Sequence, residues 1–283
     1  MSYDLFFSAD GSDAPDVREL TDYFRSRAWY DIEDDAARYR DGDTGVHFAF
    51  LWSFDDSGEK VEKVTFTINY ARPRFFALEA ADELDDFVDT FDFEFSDPQS
   101  EETVAAYDRD RFLREWNHGN KAAVEAISEQ DEGAAFEFSL SADELRRSWE
   151  WNRARGDLQT SLGGAVFVPR VLLFARNGSV ECGIVWPDAI PLVLPDVDFV
   201  LVSVPQDDSE GPPKATLVEY DDFVAAVGDA GEFREEPVPH TLLTWNEAPL
   251  DLIEELTDVG TIAEPDALTG VPVDSVLDED ILE

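Results

Sequence analysis

The sequence predicts an α+β protein, with antiparallel and mixed sheets and two long helices packed against them. Three observations carry that prediction. Over 46–54 the chain alternates strictly, with Phe48, Phe50, Trp52 and Phe54 on one side and His47, Ala49, Leu51 and Ser53 on the other, the period of a half-buried strand. Two long stretches, 105–128 and 142–162, carry apolar residues at helical spacing. Over 166–204, short runs of Val, Leu and Phe are punctuated by Pro187, Pro191 and Pro195, which suits short strands.

Residues 3–7 open the chain as a strand. Ser12 or Asp13 then caps a helix whose Val17, Leu20 and Phe24 share a face, and Arg25 and Arg27 suit its C-terminal end. After the alternating strand, polar 55–60 turns the chain into a second alternating run, Val64, Phe66, Ile68 and Tyr70, giving an antiparallel hairpin. A helix over 75–91 and a short strand over 92–95 complete an N-terminal lobe, 1–97.

Asp97 and Pro98 open a polar break into a second lobe, 98–263, which holds both long helices. The second helix starts with a capping box, Ser141 with Glu144. Strands follow at 166–168, 171–176, 180–186, 190–194 and 199–204. Asn177-Gly178 sits between two of them as a hairpin turn, since both residues tolerate positive φ. An acidic Pro/Gly loop, 205–213, precedes a strand at 215–220 and a helix at 221–227. Residues 264–283 read as an acidic, weakly patterned tail.

Charge narrows the setting more than the activity. The 283 residues carry 65 Asp and Glu against 21 Lys and Arg, a formal charge of −44, with a pI near 4.1. A folded chain of 31.8 kDa exposes roughly 12,000 Å², so net charges lie about 17 Å apart. The Debye length is about 8 Å at ~0.15 M salt and about 3 Å at ~1 M, so strong salt silences the repulsion and the sequence reads as built for it. With 43% apolar residues and 21 Phe, the charge coats a folded core and is not a disordered polyanion.

One cysteine, Cys182, excludes an internal disulfide, a CxxC pair and a cysteine-rich zinc site. The N-terminus shows no secretory pattern and no run is apolar enough for a membrane span, so a soluble, cytoplasmic protein is expected. No Lys/Arg cluster offers direct nucleic-acid binding. Nucleotide-binding, hydrolase, zinc-protease and EF-hand motifs are absent, and His47, His118 and His240 are far apart, so neither cofactor nor metal is expected.

The residues that stand out are Trp-Asn pairs, at Trp116-Asn117, Trp151-Asn152 and Trp245-Asn246. In the first long helix Phe112, Trp116, Ala123 and Ile127 form the apolar stripe, with Asn117, Gly119 and Asn120 on or beside it. A buried carboxamide needs partners, and a mid-helix Gly suggests close approach of a backbone or ligand. In the second helix Trp149 and Trp151 point about 200° apart, so one of them is expected to border a cleft or partner surface. The candidate ligand- or partner-binding residues are therefore Trp116, Asn117, Asn120, Trp151, Asn152, Arg153, Arg170 and Trp186. The same Asn residues read structurally as ties between helix and backbone.

The MSYDL opening, DTGVHFAF at 43–50, WNHGN at 116–120, VFVPR at 166–170 and VWPDAIP at 185–191 together resemble an uncharacterised family of bacterial cytosolic proteins. The resemblance spans about residues 1 to 204 and brings no activity with it. Three functions fit the sequence. The first is a non-enzymatic interaction protein, immunity- or antitoxin-like or an assembly partner, with a protein partner. The second is a small-molecule binder or enzyme whose Asn/Trp/Arg pocket lies between the long helices and the C-terminal sheet. The third is a nucleic-acid mimic, against which the dispersal of the acids argues.

Overall fold

In the computed structural model the described residues are 1–9, 14–55, 57–99, 106–130, 136–187, 189–203, 215–245, 249–262 and 268–282. Ser12, Asp13, the loop 205–213, Asp188 and Asn246 lie outside them. The architecture is α+β. The chain divides into two compact units, 1–137 with 274–283, and 138–273. The division falls at 137/138 and not at 97/98, so the first long helix belongs with the first sheet.

The first unit runs β1 (Ser2–Ser8), α1 (Val17–Arg25), β2 (Tyr30–Ile32), β3 (Ala36–Arg40), β4 (His47–Phe54), β5 (Val61–Asn69), α2 (Phe75–Thr90), β6 (Glu94–Ser96) and α3 (Arg109–Gln130). Its strands form one sheet in the order β2-β3-β4-β5-β1-β6, every neighbour antiparallel. The alternating runs are β4 and β5, with Phe50 opposite Phe66. All three helices lie on the aromatic face. Phe24 of α1 packs on Phe50 at 5.0 Å between ring centroids, Phe87 of α2 on Phe50 at 4.9 Å and Phe7 at 5.2 Å, and Phe112 of α3 on Phe66 at 5.9 Å. Each such ring contributes roughly 1.5–3 kcal/mol by leaving water.

Helix α1 begins later than its sequence suggests. Asp16 occupies the N-cap position without a side-chain cap bond, because the β4–β5 turn supplies the partner: the Val17 amide donates to the Glu59 carbonyl at 3.2 Å.

The second unit runs β7 (Phe138–Leu140), α4 (Ala142–Leu162), β8 (Leu172–Arg176), β9 (Ser179–Pro187), β10 (Leu192–Leu194), β11 (Phe199–Ser203), β12 (Ala215–Glu219), α5 (Tyr220–Val227), β13 (Gly231–Arg234), β14 (His240–Leu243), α6 (Leu250–Val259), β15 (Thr261–Ile262) and β16 (Thr269–Val271). Six strands form a mixed sheet, β15-β12-β11-β9-β8-β16, in which only β9 and β11 are parallel. Three more form β10-β14-β13. Asn177 at φ 53° and Gly178 at φ 88° turn β8 into β9, the two left-handed residues that a tight hairpin requires. Ser141 caps α4, accepting from the Glu144 amide at 3.3 Å and donating to its carboxylate.

The chain then returns to the first unit as β17 (Val276–Asp278) and α7 (Glu279–Leu282). These residues are packed, not loose. Leu277 and Ile281 are buried with Ala71 and Val124, and the Asp278 carboxylate accepts the Arg74 amide at 2.9 Å. Burial raises Asp278 above the usual carboxylate range. Among the described residues no helix is long and apolar enough to cross a membrane.

Candidate functional site

The Trp and Asn residues singled out in the sequence divide between the units. Trp116, Asn117 and Asn120 lie on α3 in the first; Trp151, Asn152, Arg153, Arg170 and Trp186 lie in the second. Asn120 is fully buried and holds the corner between β5 and α2. Its Oδ1 accepts from the Ala71 amide at 2.7 Å and the Arg72 amide at 3.4 Å, and its Nδ2 donates to the Arg72 carbonyl at 2.9 Å. Asn152 does the same for Val171, accepting from its amide and donating to its carbonyl, both at 2.9 Å. These amides serve the backbone of their own unit, which is the structural alternative.

The aromatic residues are accounted for likewise. Trp151 donates to the Pro169 carbonyl and Trp186 to the Ile190 carbonyl, each at 2.8 Å. The expectation that Trp149 or Trp151 borders a cleft is corrected: both are buried, at 9% and 4% exposure, and Arg153 lies over the Trp149 ring at 5.4 Å. Trp116 Nε1, Asn117 Oδ1 and Arg170 Nε are buried without a hydrogen-bond partner among the described residues.

Gly119 makes room for a side chain, not for a backbone or a ligand. A Cβ there would stand 2.7 Å from Cζ and 2.8 Å from Cε1 of Tyr70. Gly119→Ala is therefore expected to destabilise the protein by about 1–2 kcal/mol, the overpacking cost exceeding a gain of up to ~1 kcal/mol in helix propensity. A urea midpoint equal to or above the wild type would show that Tyr70 yields freely.

Cys182 offers no nucleophile. Burial pushes its thiol up to about 12, with the Asp198 carboxylate beside it adding to the shift, so the thiolate is scarce near neutrality. Among the described residues no group of three or more His, Cys, Asp and Glu is placed to hold a metal ion.

The feature that remains is the face of the first sheet opposite its helices. Alternation places Asp31, Arg38, Ala49, Thr67 and Asp4 on it in one cross-strand row, and Ala36, Leu51, Thr65 and Phe6 in the next. Arg40 pairs with His47 beside the first row; Lys63 lies between Ser53 and Ser8 beside the second, its Nζ 3.6 Å from the Phe6 ring centroid. The acids of these rows are Asp4, Asp31 and Glu94, with Glu33 against Arg38, and the bases are Arg38, Arg40 and Lys63. In a chain with about three acids per base, that brings the face close to charge balance.

Elsewhere arginines are neutralised in pairs of carboxylates. Arg27 spans Glu83 and Asp86, Arg109 spans Asp82 and Asp85, and Arg176 spans Glu181 and Glu219. On the open face Arg38 has Glu33 at 2.9 Å, and Arg40 has no ion-pair partner among the described residues. Over this end of the sheet lies a groove of about 700 Å³ lined by Trp29, Asp31, Arg38, Arg40, His47, Ala49, Thr67 and Asn69.

Its rim is built by the β3–β4 connection. Asp41 Oδ1 accepts the amides of Asp43 and Thr44, and Tyr39 and Thr44 both donate to the buried Glu79 carboxylate, at 2.9 and 3.1 Å. Trp29 closes the rim at 48% exposure with φ of 69°; atom Cζ3 of its indole stands 3.4 Å from where a Cβ of Gly42 would be. A bulky residue held in the left-handed region is strained, and such strain clusters at ligand clamps.

Sequence reading placed His47, Ala49, Leu51 and Ser53 together on the non-aromatic side but did not mark that side as a site. The signal for it was the Arg-x-Arg spacing of Arg38 and Arg40 in an acid-rich chain. No family model, no curated protein and no solved structure matches the chain.

Proposed function

We propose that the protein is a non-enzymatic interaction protein of a salt-rich cytoplasm, immunity- or antitoxin-like or an assembly partner, engaging a protein through the open face of its first sheet. The observation that carries this reading is the near balance of charge on that face in a chain with about three acids per base. Two acidic proteins approach most easily where one of them offsets its carboxylates with bases, since like charges facing each other oppose association. The exposed apolar side chains Leu51 and Trp29 on or beside the same face supply area that leaves water on contact. The buried thiol of Cys182 and the backbone-bound amides of Asn120 and Asn152 leave the pocket reading with less support.

The test compares the tagged wild type with Thr65→Glu, which adds a carboxylate to the face. Both are held in ~2 M KCl against lysate of the native host, after matching melts show that both are folded. One stoichiometric partner retained by the wild type and lost by the variant is expected. The same partner captured by both, or none by the wild type, overturns the proposal.

A further inference from the structure

Resting on that reading of the open face, we propose that its groove receives an extended acidic segment of the partner, with carboxylates at alternate residues. Arg38 and Arg40 stand two apart on β3, so both side chains emerge on one face about 6.6 Å apart along the strand. An extended segment laid along β3 repeats its own side chains at that interval. Carboxylates at positions i and i+2 then meet both guanidinium forks in register.

The remaining lining fits the same occupant. Ala49 leaves a hollow between Arg38 and Thr67 in their row, and Thr67 and Asn69 place hydrogen-bonding groups along it. His47 closes one end with its Nδ1 directed to the Gly45 carbonyl at 3.2 Å. Asp31 is the one carboxylate among the lining side chains, and Arg38, about half exposed beside Glu33, exchanges one carboxylate for another without leaving the surface.

Salt sharpens the argument. Where the Debye length is about 3 Å, attraction across a gap is lost and recognition rests on groups in direct contact. Planar, bidentate pairing of Arg with carboxylate supplies that contact. The preference for Arg over Lys at the groove follows.

The experiment uses the full chain in ~2 M KCl and reads acrylamide quenching of Trp29, isolated by subtracting Trp29→Phe. The probes are an eight-residue peptide alternating Glu and Thr, its Gln/Thr counterpart, and inorganic pyrophosphate. Saturable protection by the Glu peptide alone is expected, weakened about tenfold in Arg40→Gln. Absence of protection by the Glu peptide, equal protection by the Gln peptide, or equal protection by pyrophosphate overturns the acidic segment. If the Glu peptide fails while partner capture still depends on Thr65, the occupant is wrong and the interaction face stands. If capture ignores Thr65→Glu, the face itself falls.

Discussion

Asn120→Ala is expected to lower stability by about 3 kcal/mol. The carboxamide is fully buried and closes the corner where β5 passes into α2. Its removal strands the Ala71 amide, the Arg72 amide and the Arg72 carbonyl. Each unmet buried group costs about 1–3 kcal/mol, less where water reaches it. Ala71 also holds φ at 57°, a conformation that the lost bonds no longer enforce. Asn120→Asp keeps the acceptor, loses the donor and places a charge beside a carbonyl, so it is expected to fare no better. Equilibrium urea unfolding in ~2 M KCl, followed by tryptophan fluorescence, checks this; an unchanged midpoint would remove Asn120 from the framework.

Dilution from ~2 M to ~0.1 M KCl is expected to cost a few kcal/mol. Two charges about 17 Å apart in water repel by about 0.2 kcal/mol. A Debye length of about 10 Å at ~0.1 M leaves roughly a fifth of that, and molar salt leaves almost none. Summed over 44 net charges with about six neighbours each, the repulsion reaches about 5 kcal/mol, part of which the unfolded chain also feels. The Tm is expected to fall by about 5–10 °C. On α2, Arg27 and Arg109 offset two of the four charges of Glu83, Asp86, Asp82 and Asp85, so that cluster repels less than its acids alone would. Equal melting temperatures in both salts would refute adaptation to high salt.

How much of this was legible in the sequence depended on whether the signal was local. The β4–β5 hairpin, the Asn177-Gly178 turn and the Ser141 cap of α4 each follow from a few adjacent residues whose φ/ψ or side chains dictate the outcome. Strands β2 and β3 were not read, since three and five residues carry too short an alternation; β2 is held by β3, and β3 by β4. The fate of the tail was equally hidden. Leu277 and Ile281 look like an ordinary acidic terminus until Ala71 and Val124, some two hundred and some hundred and fifty residues away, supply the apolar surface.

For the candidate site, sequence reasoning identified Trp116, Asn120, Trp151 and Asn152 as unusual, and they are, but as parts of the framework. A helix pattern tells which face is apolar and not whether a polar group on it meets backbone or ligand. The open face was half visible: alternation separated His47 and Ala49 from the aromatic side, while pairing with Arg38 and Arg40 required the register of β3 on β4.

The return of 274–283 to the first unit makes the second unit an insertion within the first. The usual order of maturation during synthesis, N-terminal domain first, is thereby altered. Residues 138–273 are all translated before the strand and helix that cover Ala71 and Val124 exist. The second unit has its full sequence while the first still lacks residues 274–283, so the open face of the first sheet rests on a core that is completed only after the second unit has been synthesised.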